Sequence, residues 1–303
     1  MKRFIIALAA VALALTACNK PQEGGKESKM ETPVRKDFHA SVKLTRSDNV
    51  ALAIDEGKVP ETVKLTSGGE FLLGFNKAKT AKPEFKAGKF DVVLLKAGAH
   101  VKFVFPGYGS LEVEDTDANP WTVTYTDEDG NTYTTTAQKD ADKLNGSVAD
   151  NLCRSWKPEA ITVAASGDGI PDKMKVGKKF NTASIREIAQ YLKDEGGLNI
   201  KVDEFAKYEI ESLAVTEDGA IIFNFKDYAI APFVGSCDLL NKTEDNLTYD
   251  FSVSYEDNPV IPVKGVATVT VKGGKLTFYT ESKITAGGKQ YDATVSVNFS
   301  ELK

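Results

Sequence analysis

Long stretches of this chain alternate apolar and polar residues one for one, and that period of two leaves few folds open to it. Trp121, Val123 and Tyr125 are interleaved with Thr122, Thr124 and Thr126, and Phe38, Ala40, Val42 and Leu44 with His39, Ser41, Lys43 and Thr45. Leu247, Tyr249, Phe251, Val253 and Tyr255 alternate with Thr248, Asp250, Ser252 and Ser254. The run Tyr291, Ala293, Val295, Val297, Phe299 does the same near the C-terminus. Successive strand side chains point to opposite faces, so strict alternation describes sheets with one buried and one wet face, as antiparallel sheets have. Turn chemistry falls between the runs: Asp129-Gly130-Asn131, Asp218-Gly219 and Gly273-Gly274. Glycine and asparagine tolerate the positive φ that tight hairpins require.

One helix stands out. Ser184 with Glu187 three residues on reads as a capping box, and Ile185, Ile188, Ala189 and Leu192 then fall on one face before Gly196-Gly197. A weaker helical stretch over 141–152 reads as a connector. The expected fold is mostly β, with two antiparallel β domains at 37–140 and 153–303, the second a barrel or curved sheet with one early amphipathic helix. A chain of 303 residues has length enough for two such cores.

The N-terminus follows other rules. Lys2 and Arg3 precede an uncharged apolar run from Phe4 to Leu15, the layout of a secretory signal peptide. A membrane-spanning helix needs about 20 apolar residues, so this run is too short for one. Leu15-Thr16-Ala17-Cys18 resembles the lipobox of bacterial lipoproteins. The resemblance implies cleavage after residue 17 and a diacylglycerol on the Cys18 thiol, usually with a further acyl chain on the new amino group. More than one chain matters, because a single one gives only marginal membrane binding. Residues 18–36, with Pro21, Gly24, Gly25 and Pro33 among alternating charges, read as a flexible tether. Asn19 stands where, by the enterobacterial sorting rule, an aspartate would retain the protein at the inner membrane; the resemblance thus implies the outer membrane.

A second resemblance covers the latter half. Asn151-Leu152-Cys153-Arg154-Ser155-Trp156-Lys157, a helix and a long meander are similar to the lipocalin-like lipoprotein domains of Gram-negative anaerobes. There the leucine and tryptophan, here Leu152 and Trp156, pack under one end of a β-barrel.

Charge excludes one class of partner. Removing Lys2 and Arg3 with the leader takes the formal charge from −5 to −7, and no basic cluster offers a nucleic-acid footprint. No nucleophile elbow, phosphate-binding loop, dinucleotide fingerprint or zinc-helix motif occurs, and no cofactor is implied. His39 and His100 read as surface or neighbour-satisfied groups. The turn Asp127-Glu128-Asp129-Gly130-Asn131 lacks the trailing glutamate of a calcium loop. Ser166 to Asp172 resembles a single fragment of the Asp-rich calcium repeats and holds too few ligands, so both read as ordinary turns. Cys153 and Cys237 form an even pair in an exported chain: either a disulfide, worth about 2–4 kcal/mol, or two buried thiols.

Aromatic residues crowd the inward positions of the second half. Phe223, Phe225, Tyr249, Phe251 and Phe278 would line the site of a small apolar ligand, were the interior wide enough to hold one. The expected function is that of a non-enzymatic, lipid-anchored envelope protein. The alternative is a structural or adhesive subunit whose strand Tyr291–Phe299 pairs with a neighbouring protein.

Overall fold

The computed structural model describes residues 40–45, 57–66, 68–75, 84–96, 100–115, 118, 120–139, 142–167, 170–196, 201–243, 248–255, 263–286 and 289–302. Cys18, His39 and everything expected of residues 1–36 lie outside them. The described residues divide into two compact units, those up to Asp142 together with Thr216–Asp218 and the rest from Lys143 on, and both are antiparallel β structures.

The first unit is a nine-stranded sheet. Its strands are β1 (Ala40–Thr45), β2 (Thr62–Leu65), β3 (Glu70–Phe75), β4 (Glu84–Lys89), β5 (Asp91–Lys96), β6 (His100–Phe105), β7 (Gly109–Val113), β8 (Trp121–Thr126) and β9 (Thr132–Lys139). They lie in the order β4-β3-β2-β1-β9-β8-β7-β6-β5, so β4 and β5, consecutive in the chain, are its two edges. β8 behaves as its alternation demands: Trp121, Val123 and Tyr125 are buried. Thr122, Thr124 and Thr126 face Thr136, Thr134 and Thr132 of β9 on the outer side. Gly109, the first residue of β7, has φ +99°, and a Cβ there would lie 2.0 Å from the Thr126 carbonyl oxygen, so only glycine fits. The core gathers Phe71, Phe103, Phe105, Leu111, Trp121 and Tyr125.

The second unit opens with helix α1 (Gly146–Leu152), followed by β10 (Ser155–Gly167), a single turn α2 (Asp172–Lys175), β11 (Lys178–Phe180), α3 (Ile185–Asp194) and a 3-10 turn at Val202–Phe205. Seven strands complete it: β12 (Ile210–Val215), β13 (Ala220–Phe225), β14 (Phe233–Lys242), β15 (Thr248–Tyr255), β16 (Val263–Lys272), β17 (Lys275–Ala286) and β18 (Lys289–Glu301). β12 to β18 form a meander, and β10 joins both ends of it, at Ser155 and Trp156 to β12 and from Trp156 to Gly167 to β18. The result is a closed eight-stranded barrel, with β11 as an added strand beside β10 at Ile161–Val163. The Gly273-Gly274 hairpin has φ of +61° and +72° between the partners Lys272 and Lys275, the geometry of a two-residue type I′ turn.

Three expectations are corrected here. Residues 141–152 are not a mere connector: Val148 and Leu152 of α1 are buried in the barrel's core. The capping box at Ser184 does not form. Ser184 occupies the N-cap position without a side-chain bond to the helix, and the helix start is tied instead to the chain entering β12 by the Ile185 N–H, which donates to the Tyr208 carbonyl. Nor does the C-terminal strand offer an edge. β18 is hydrogen-bonded to β17 on one side and β10 on the other, so no neighbour can pair with Tyr291–Phe299.

Candidate functional site

The barrel interior collects the residues expected to line a site. Alternation along each strand sends one set inward, and strand register decides which of these meet. Tyr249, Val269 and Phe278 are successive partners across β15, β16 and β17, with Phe251 opposite Ala267 alongside. On the other arc Leu213, Phe223 and Phe233 are successive partners across β12, β13 and β14. Phe223 and Phe233 have ring centroids 6.1 Å apart, and Tyr208 meets Phe225 edge-on at 5.7 Å. Phe223, Phe225, Tyr249, Phe251 and Phe278 are all buried in one cluster, into which α3 also sends Ile185, Ile188, Ala189 and Leu192. Among the described residues of this unit no charged side chain is buried.

One end of the barrel is plugged. Trp156, at the start of β10, is 1% exposed and donates its indole N–H to the Leu152 carbonyl at 3.1 Å, so the strand is latched to the helix before it. The Arg154 guanidinium lies over the Trp156 ring at 5.8 Å from its centroid and bonds Glu301 at 2.8 Å. The pair is about one-third exposed, so its worth is small as an ion pair; its geometry instead clamps the last strand to the first. Asn151 of α1 donates to the Tyr249 hydroxyl at 2.8 Å, which puts one polar contact at the plugged end of the apolar interior. Leu152 and Trp156 were legible in the sequence; Arg154 and Asn151 were not, since their partners lie 147 and 98 residues away.

Cys153 and Cys237 are both buried thiols of this core, with no disulfide between them, the second of the two alternatives the sequence left open. Gly219, in the β12–β13 turn, has φ +83° and takes the Cys237 N–H on its carbonyl; a Cβ there would come within 2.7 Å of the Cys237 carbonyl oxygen.

The remaining polar residues singled out by sequence are engaged structurally. His100 Nε2 lies 2.7 Å from Glu112 Oε1 across β6 and β7. The Asp127 carboxylate accepts the backbone N–H of Asn131 at 2.8 Å, its side-chain amide at 3.0 Å and the Tyr133 hydroxyl at 3.4 Å. Those bonds, Asn131's first, hold the Asp127 carboxyl below its usual range and leave the group closing a turn. Of the other acidic turn, Asp168 and Gly169 lie outside the described residues. Among the described residues no three His, Cys, Asp or Glu side chains gather as metal ligands would.

Compared with known proteins, the chain matches no family model and no curated sequence.

Proposed function

We propose that this chain is a non-enzymatic lipoprotein of the cell envelope, anchored through lipid on Cys18, whose second unit holds a small apolar ligand inside its barrel. The observation that carries the reading is the closed eight-stranded wall whose buried inward side chains are apolar and aromatic, plugged at one end by α1 and Trp156. Eight strands enclose a space that side chains can just fill or that one small ligand can share, as in the lipocalin-like domains the sequence resembles. Among the described residues the interior holds no buried charge, which discriminates against ions and strongly polar metabolites, whose desolvation nothing there would repay. The lipobox and the polar segment after it support the anchoring, and the absence of a basic cluster argues against nucleic acid as a partner.

The test is a titration of the full chain with a fluorescent long-chain fatty acid, alongside the variant Ala267→Phe. Ala267 is buried beside Phe251 and faces the interior, so a phenyl ring there occupies ligand space. Saturable binding near one probe per chain, weakened about tenfold or more (about 1.4 kcal/mol) in a variant that keeps its circular dichroism, is the expected result. No saturable binding by the unmodified chain, or equal binding by both, would sink the reading.

An envelope subunit acting through strand contacts is the second reading. With β18 enclosed, it requires another edge, and β5 is such an edge.

A further inference from the structure

The barrel wall has one seam that backbone pairing scarcely closes. β10 meets β12 at two positions, Ser155 opposite Ala214 and Trp156 opposite Leu213, both at the plugged end. Each of the other seven seams holds four or more such pairs. Beyond Trp156 no residue of β10 pairs with β12, and the strands part where Pro158 and the bulge between it and Ala160 bend β10. Each strand then takes a different partner. β10 pairs with β11 at Ile161–Val163. The chain entering β12 is bonded to the start of α3: the Ile185 N–H donates to the Tyr208 carbonyl at 3.0 Å, and the Ile210 N–H to the Ala183 carbonyl at 3.1 Å.

Two bodies therefore flank the seam at the end away from Trp156. α2 and β11 go with β10. α3 goes with β12, tied also by Arg186 to Asp203 of the 3-10 turn at 3.4 Å. The chain crosses from one body to the other at Asn181 and Thr182. Among the described residues no strand pairing joins them. Phe180 meets Tyr191 edge-on at 5.3 Å, and Met174 lies against Gly196, where a Cβ would come within 3.0 Å of its sulfur. Lys173 pairs with Glu195, but both side chains are about half exposed, so that pair holds weakly. Phe180, Tyr191 and Met174 belong to, or pack on, the same apolar cluster as Phe223 and Phe225. Parting the bodies thus leads directly to the interior, and an apolar chain passing between them replaces the contacts it breaks. Resting on the reading of that interior as a ligand site, we propose that the ligand enters and leaves through this seam, between β11 and α3, and that the two bodies separate to admit it.

A reversible tether across the seam tests this. In the full chain carrying Lys173→Cys with Glu195→Cys, a short bifunctional methanethiosulfonate joins the two bodies outside the interior, while the native thiols Cys153 and Cys237 are buried away from the reagent. Stopped-flow fluorescence follows uptake and release of the fluorescent long-chain fatty acid, and circular dichroism shows that each variant keeps its fold. The tethered chain should exchange the probe more slowly by about tenfold or more, and reducing the tether should restore both rates. The same reagent on Glu159→Cys with Lys275→Cys, which ties β10 to β17 on the paired side of the wall, should change neither rate. An unchanged rate in the chain tethered across the seam, or equal slowing by the second tether, overturns the portal and leaves the ligand site standing. No saturable binding by the unmodified chain removes the ligand site, and the portal with it.

Discussion

At the scale of single residues, Trp156 joins three things that hold the barrel's closed end: a buried indole, a hydrogen bond to Leu152 and a face for Arg154. Trp156→Ala should destabilise the second unit by about 3–5 kcal/mol, the usual cost of emptying so large a buried volume. Trp156→Phe keeps most of the volume but strands the Leu152 carbonyl, and should cost about 1–3 kcal/mol less than the alanine variant. Urea unfolding followed by far-ultraviolet circular dichroism measures both. An alanine variant within about 1 kcal/mol of the original would mean the indole is not the plug. The tryptophan was legible in the sequence because a large aromatic at the mouth of a strand run has little reason to be exposed. Its partners were not, for Arg154 reads as an ordinary surface cation until Glu301 arrives beside it.

At the scale of elements, β18 and β5 are opposites despite similar apolar content. Val297 lies opposite Ile161 of β10 on one side and Phe278 of β17 on the other, so β18 is bonded along both edges. Proline at 297 removes a donor from a doubly paired strand and cannot be accommodated as it can on an edge. Val297→Pro should therefore abolish the folded barrel. In a heteronuclear correlation spectrum the dispersed signals of residues 143–302 should collapse while those of the first unit's core strands, β8 among them, persist. Retention of the barrel signals would show that β18 is not the closing strand. Alternation reveals β18 as a strand, whereas Val92-Val93-Leu94-Leu95 of β5 does not alternate. Alternation does not tell whether a strand has neighbours on two sides, because a half-buried strand carries the same pattern wherever it lies in a sheet.

At the scale of the whole molecule, two cores stand apart in the chain, one gathered around Phe103 and Trp121 and the other around Trp156 and Tyr249. Both cores are built from described residues, and Cys18 lies outside those. Cys18→Ser should thus leave both β units folded while removing the acceptor thiol. Mass spectrometry of the N-terminal peptide, with membrane fractionation, checks it: the unmodified protein should begin at Cys18 bearing diacylglycerol and partition with membranes, and the variant should bear none. A mature N-terminus elsewhere, or an unlipidated Cys18, would refute the anchoring.

The sequence by itself determined where strands run, where tight turns fall and which aromatic residues face inward. Those properties are local: a two-residue period sets the face of a side chain, and glycines such as Gly273 and Gly274 supply φ values that other residues resist. The tertiary structure alone decided that β10 and β18 close a barrel, that α1 packs into its core, that the start of α3 is tied to Tyr208, and that β5 ends its sheet among the described residues. Each of these is a pairing between segments distant in the chain. A hydrogen bond between strands more than a hundred residues apart uses the same backbone groups as one within a hairpin, and so leaves no mark on the local order of residues.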